Sequence, residues 1–353
     1  SSVAWRITSS SAATVSSSLV QPLFGFWSDR RGAMWLLPAG VALSGAGIGL
    51  AAVAPGYWLV VALVFASGVG IAAFHPEGAK FALYASGRRR ASGMSLFNIG
   101  GNAGYALGPI VITPLLLWLG LVGGLLAAIP VLLAAVAVGR ALPYLDRLRP
   151  ERSARDAVAG ENRAAAMGLL AAVIALRSVA WFGLLTFVPL WAVSLGQTKG
   201  EGNRLLSLML VAGAVGTLLL GPFADRVGLR KTMVLTQAAL GPLILVFVLV
   251  GGVPGALALM GVGVCVVGSF GVTMVLSQLY LPRNVGIASG LAVGLAIGLG
   301  GLAAVVLGAI ADTIDLESAL YVCAAAPAAG VLVCFLLPAP RAAARLAPEP
   351  AAP

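Results

Sequence analysis

The sequence predicts an all-α membrane protein made of two parallel helical bundles, and three observations carry that prediction. Hydrophobic residues make up 60% of the 353 positions and charged residues only 10%, with a mean hydropathy of +1.01, whereas a soluble domain carries roughly 25% charged residues. Apolar segments of about 20 residues recur without the two-residue alternation of barrel strands, so helices are the spanning elements. Two sequence motifs recur at one displacement to within a residue, which marks duplicated halves.

Eleven candidate spans follow, at about 8–28, 33–54, 57–84, 93–118, 120–140, 165–194, 204–224, 231–252, 255–277, 286–310 and 318–338. Each is long enough to cross a core of roughly 30 Å at about 1.5 Å per residue. Every second connection is rich in arginine: Arg30 and Arg31, Arg88 to Arg90, Arg147 to Arg163, Arg226 with Arg230 and Lys231, Arg283, and the tail's Arg341 and Arg345. The alternate connections hold only Lys199 and Arg204, against Glu201, Asp312, Asp315 and Glu317. Arginine-rich loops stay inside, so this set is expected to be cytoplasmic. The net charge of +10 then reads as a topology signal and not as a nucleic-acid footprint.

Residues 141–164 (ALPYLDRLRPERSARDAVAGENRA) are polar and lack apolar periodicity, so they read as a cytoplasmic linker. They divide a bundle of five spans, 1–140, from one of six, 165–338, with a tail at 339–353. The halves repeat. GFWSDRRG (25–32) returns as GPFADRVG (221–228), displaced by 196, and ASGMSLFNIGG (91–101) returns as ASGLAVGLAIG (288–298), displaced by 197. On that register the expected architecture is two six-helix bundles with the first helix of the N-terminal bundle missing, an expectation strengthened by the absence of an initiator Met.

Little supports enzyme chemistry. Cys265, Cys323 and Cys334 all lie in apolar runs without metal-ligand spacing, and there is one histidine, no HExxH, no CxxC, no G-x-S-x-G and no phosphate loop. No enzyme activity, metal or cofactor is expected. Nineteen arginines against three lysines suggest a GC-rich bacterial genome, hence a multi-pass protein of the bacterial cytoplasmic (inner) membrane.

G-x-x-x-D-R-x-G, present twice, resembles the signature loop of the major facilitator superfamily, a family of parallel halves. The first copy departs from it, with Ala33 and Met34 where basic residues are expected; the second keeps Arg230 and Lys231. FHPEGAKFA (74–82), SLFNIGGNAGYALGP (95–109), Arg177-Ser178 and YLPRNVGIASGLAVGLAIGLGGL (280–302) resemble the fosmidomycin-resistance group of bacterial efflux proteins. Gly104-x-x-x-Gly108-Pro109 resembles part of an antiporter motif whose flanking glycines are absent. The resemblance implies the major facilitator fold and a gating role for the loops Gly25, Asp29, Arg30, Gly32 and Gly221, Asp225, Arg226, Gly228. The residues themselves suggest that each acid caps the next helix and that each closing glycine permits a tight turn.

Twelve acidic residues are present, and elimination singles out one. Asp29 and Asp225 belong to the motif loops; Asp146, Glu151, Asp156 and Glu161 to the linker; Glu201, Asp312, Asp315 and Glu317 to the outer connections; Glu349 to the tail. Glu77 alone remains within a span, where a charge costs about 2.5–3.5 kcal/mol on insertion scales and needs a polar cavity or a partner. Pro76 is expected to break the helix at Phe74–His75 and to place Glu77 near a new N-terminus, with Lys80 three residues on. His75, Glu77 and Lys80 form the candidate proton-coupling set; a static Glu77–Lys80 brace is the competing reading.

Arg177 lies near the midplane of its span. It stays protonated, so it cannot carry the proton, but its planar fork suits a carboxylate or phosphonate. A structural pairing with Glu77 is the competing reading. Trp181, one turn on, Asn98, Asn102 and Tyr105 on one helix face, and Gln278 complete the candidate substrate-binding set. The glycines at 290, 294, 298, 300 and 301 read as close-packing sites. The expected function is a monomeric, proton-coupled secondary transporter that exports small drug-like or anionic compounds by alternating access, with substrate, protons and lipid bilayer as its partners and no nucleic acid. An importer of small organic anions, or a non-transporting membrane protein, is the alternative.

Overall fold

A computed structural model describes residues 20–148 and 161–340, which form twelve helices and no strand. In chain order they are α1 (20–31), α2 (Leu36–Val53), α3 (Tyr57–Ala85), α4 (Arg90–Leu119), α5 (Val122–Arg147), α6 (Ala164–Ser194), α7 (Lys199–Val227), α8 (Leu229–Leu249), α9 (Gly252–Gly268), α10 (Phe270–Tyr280), α11 (Val285–Thr313) and α12 (Leu316–Leu336). Nine stretches of the described residues are long and apolar enough to cross a membrane, with α9 and α10 counting together as Gly252–Tyr280. The thirty-residue α4 and the described part of α1 lie at the two remaining expected positions. The expected span at 8–28 is described only from residue 20. The linker residues Arg149, Glu151, Arg152, Arg155 and Asp156 and the tail residues Arg341, Arg345 and Glu349 lie outside the described residues.

Two elements depart from the sequence expectation. Pro76 does not break its helix, because α3 runs unbroken from Tyr57 to Ala85. Pro76, Ala72, Ala73 and Ala79 are all buried there, and in a bilayer an opened turn would leave backbone groups without water, so the continuous helix wins. The expected span at 255–277 is interrupted instead: α9 ends at Gly268, Ser269 lies between, and α10 restarts at Phe270. The fifth helix also continues past 140 to Arg147, into the expected linker.

Small residues let the helices approach closely. A Cβ on Gly40 would stand 2.7 Å from the Gly70 carbonyl oxygen, and one on Gly263 2.0 Å from that of Met209, so α2 and α3, and α7 and α9, touch through backbone. Three apolar clusters result, the smallest around Ala33, Leu36 and Ala73. One lies within the second half, around Leu184, Phe187, Met209, Ile244 and Leu259. The largest joins the halves near the arginine-rich ends: Ala79 of α3 and Ala91 and Met94 of α4 pack with Leu170, Ile174, Leu276, Tyr280 and Ala288. That largest cluster closes the arginine-rich face and brings the conspicuous polar residues together.

Candidate functional site

The two motif acids lie on helices, and each reaches across to the opposite half. Asp29 sits in the last turn of α1 and accepts hydrogen bonds from the Gly286 and Ile287 N–H groups at 2.9 and 3.0 Å. Those groups open α11. Asp225, in the last turn of α7, accepts from the Ala91 and Ser92 N–H groups at 3.0 and 2.9 Å and from the Ser92 hydroxyl at 2.6 Å. Those groups open α4. The expectation that each acid caps the next helix is therefore corrected: each caps a helix of the other half, where exposed N–H groups and the positive helix end receive a carboxylate. Gly25 and Gly221 bring the helices near enough, since a Cβ on Gly25 would lie 2.3 Å from the Gly286 carbonyl oxygen and one on Gly221 2.5 Å from Ser95 Oγ. Gly32 and Gly228 carry positive φ, 60° and 107°, at the turns that follow. Arg30 stacks its guanidinium 4.2 Å from the Phe26 ring centroid, while Arg226 is exposed.

Behind Asp29 lies a buried charged cluster. Glu77 is fully buried and Lys80 is 3% exposed. Lys80 Nζ stands 3.1 Å from Glu77 Oε2 and 3.2 Å from Asp29 Oδ1. The Ser28 hydroxyl donates to Glu77 Oε2 and accepts from Lys80 Nζ. Asp29 is itself nearly buried, with 9% of its side chain exposed. Glu77 is therefore not the only acid inside a helix, because α1 continues through Asp29 and turns that carboxylate inward. Two carboxylates share one ammonium. Glu77 lies eight residues before the end of α3, about 12 Å from it, so the cluster belongs to the closed face and not to the midplane. His75 stands outside it; its recorded contact is an edge-to-face one with the Phe74 ring, at 5.9 Å.

Arg177 is 3% exposed, thirteen residues into α6. Its Nη1 donates to Ser269 Oγ and Thr273 Oγ1, both at 2.8 Å. No ion pair to Arg177 occurs among the described residues, so Glu77 is not its partner. Ser269 and Thr273 were not singled out from sequence; a hydroxyl pair at i, i+4 in a span opposite a buried arginine was the available signal. Trp181 packs on the apolar cluster of the second half. Asn102 Nδ2 reaches Thr217 Oγ1 at 3.5 Å. Asn98 Nδ2 is buried without a hydrogen bond among the described residues, close to Gly271 of α10. The Tyr105 side chain lies outside the described residues. Gln278 does not line a cavity: it is 1% exposed, and its amide donates to the Ala79 carbonyl of α3 at 3.3 Å and to Ser289 Oγ at 2.9 Å. Among the close-packing glycines, Gly290 lies against the Gln21 backbone and Gly300 against the Phe182 ring.

Two helical halves, latched at one face over buried charges, define a multi-pass membrane transporter fold. The chain belongs to the Major Facilitator Superfamily, whose family model matches residues 1–296 and 170–352. It is similar to an uncharacterized MFS-type transporter, YfnC, of Bacillus subtilis (strain 168), with 33% identity over 341 residues, covering 91% of this chain and 81% of the relative. It is also similar to the fosmidomycin resistance protein of Escherichia coli (strain K12), with 28% identity over 329 residues and the same coverage. Among solved structures it shares its fold with the E. coli fucose:proton symporter FucP, at a TM-score of 0.73 and 15% identity, covering 95% of this chain and 91% of that one.

Proposed function

We propose that the protein is a proton-coupled exporter of small anionic or amphipathic compounds in a bacterial cytoplasmic membrane, with the arginine-rich face toward the cytoplasm. One observation carries the substrate class. Arg177 is a buried cation held by two neutral hydroxyls, with no ion-pair partner among the described residues. A buried charge without a counter-ion is costly, and an anionic ligand would supply the missing charge. The similarity to a fosmidomycin resistance protein supports outward transport and makes fosmidomycin the first compound to try.

The coupling site in this reading is the Asp29–Lys80–Glu77 cluster. The Asp29 carboxylate faces the positive end of α11 and favours the closed face, with Lys80 and Glu77 behind it. A single proton on Glu77 removes one negative charge from behind Asp29, lets Lys80 draw more strongly on that carboxylate and weakens the latch. Protons arriving from outside would then favour opening toward the cytoplasm, where the proton leaves and substrate enters. That is the exchange an exporter needs.

Transport by the protein in proteoliposomes of known orientation tests this. A pH gradient should drive fosmidomycin or a small organic anion outward, and Glu77→Gln should abolish that accumulation while passive exchange continues. Arg177→Ala should weaken anionic substrates more than neutral ones, and Arg177→Lys should recover only part, because lysine lacks the bidentate fork. Undiminished proton-driven accumulation by Glu77→Gln would overturn the coupling role. Accumulation in the opposite sense would make the protein an importer.

A further inference from the structure

We propose that a crevice in the second half, at the face opposite the arginine-rich one, is a binding site for small amphipathic anions. It lies where the ends of α6 and α8 meet the starts of α7 and α9, with a volume of about 400 Å³. Small-molecule sites span roughly 300–1,000 Å³. Trp191 lines the crevice fourteen residues after Arg177 on the same helix, about 21 Å away by helical rise. The site stands apart from Arg177 and does not depend on what binds there.

The crevice is the space left between two tight helical hairpins. A Cβ on Gly202 would stand 2.9 Å from the Pro189 backbone, so α7 lies close against α6. One on Gly255 would stand 3.3 Å from the Phe247 carbonyl oxygen, so α9 lies close against α8. Deeper in, Gly263 meets the Met209 backbone and closes the gap. Leu205, Leu208, Phe247 and Ala256 give the crevice apolar walls, which suit an aromatic or short aliphatic body.

The polar groups at its rim favour an acid. Arg204 is exposed and has no ion pair among the described residues. Gly252 and Val253 open α9 at the rim, with no side-chain cap. The first N–H groups of a helix lack intrahelical partners and form its positive end. Glu201 also lines the crevice, but its carboxylate is already set against the positive end of α7. There it closes a capping box, accepting from the Thr198 N–H and hydroxyl at 2.8 Å each. An acid head between Arg204 and the start of α9 meets charge of the opposite sign. Trp191 Nε1 is buried without a hydrogen-bond partner among the described residues, which costs free energy. A turn of the ring toward the acid head would satisfy it.

The test uses 4-benzoylbenzoate, a photoreactive aromatic carboxylate, with its neutral methyl ester as control, on the purified protein in phosphatidylcholine nanodiscs. Peptide mass spectrometry locates the adducts after irradiation. The acid should label residues 189–208 and 247–256 more heavily than the ester does, although the ester partitions better into apolar surroundings. Arg204→Gln should lower that labelling about tenfold. Trp191→Phe, which keeps the wall and removes the donor, should lower it less, and Arg177→Ala should leave it unchanged. In the unaltered chain, 2-naphthoate should compete and its methyl ester should not, which reads the same preference without a variant. Equal labelling by acid and ester, full labelling of Arg204→Gln, or no competition by 2-naphthoate would overturn the site. Adducts of a benzophenone-bearing phosphatidylglycerol on the same peptides, displaced by neither acid, would give the crevice to a lipid and overturn it as well.

Discussion

The Asp29 latch and the Asp225 latch grow from the same eight-residue pattern, yet the structure gives them different surroundings. Both carboxylates accept two backbone N–H groups from the first turn of a helix in the other half. Asp225 is exposed and its remaining partner is the neutral Ser92 hydroxyl. Asp29 is nearly buried and shares Lys80 with Glu77. In the repeat register, displaced by 196 or 197, Glu77 corresponds to Thr273 or Met274 and Lys80 to Leu276 or Ser277, all neutral. The motif supplies the cap; in the proposed coupling scheme, what stands behind the acid gives the cap its proton response.

The sharpest way to break this comparison is to remove the shared ammonium. Lys80→Met removes the ammonium that two buried carboxylates share, and breaking a buried pair this way costs about 3–5 kcal/mol. Thermal unfolding of the purified protein should show the largest loss of the series, and adding Glu77→Gln should restore part of it. The Asp225 latch has no counterpart to this change. Next in size, Gly25→Ala would press a methyl against backbone at 2.3 Å, and Gly221→Ala would meet first the Ser95 side chain at 2.5 Å. A backbone atom yields less than a rotating hydroxyl, so Gly25→Ala should cost more, within the roughly 1–3 kcal/mol of overpacking. Smaller still, Asp29→Asn loses a carboxylate facing a helix N-terminus in a partly buried setting, an interaction worth up to about 2 kcal/mol. Asp225→Asn should lose less, because solvent screens the exposed acid. Spin-label distances across the arginine-rich face would rank the two.

The sequence exposed the latches more readily than their partners. The doubled G-x-x-x-D-R-x-G pattern identified both acids and their glycines, because backbone approach and helix capping need those residue types at fixed spacing. It did not show which helix each acid caps. The second repeat held that information: ASGMSLF and ASGLAVG lie at the N-terminal turns that receive the carboxylates. Elimination drew attention to Glu77, which is buried within α3, but assigned Asp29 to a loop, because helix ends cannot be fixed within a turn from composition alone. Pro76 misled because a membrane helix carries a proline without ending where neighbouring groups re-satisfy the freed backbone, and α3 runs through it. Ser269 and Thr273 were invisible because small hydroxyl residues in an apolar run are unremarkable until a buried arginine is placed opposite them. The Arg177 environment is a tertiary fact, as is the use of Gln278 as a bridge and not as a cavity wall.

The central claim is that the Asp29 latch, and not the Asp225 latch, senses the coupling proton. The most direct measurement follows the distance between spin labels at Arg88→Cys and Arg283→Cys, exposed positions of opposite halves, in the Cys265→Ala background, as pH is lowered without substrate. The parent should open at the arginine-rich face as pH falls, because a proton on Glu77 lets Lys80 draw more strongly on Asp29 and weakens its hold on α11. Asp225→Asn should keep that response from a slightly wider starting distance. Glu77→Gln, fixed in the neutral form, should hold the parent's low-pH distance distribution at every pH and show no response. A Glu77→Gln variant that closes and opens with pH as the parent does, or an Asp225→Asn variant that alone loses the response, would contradict the account.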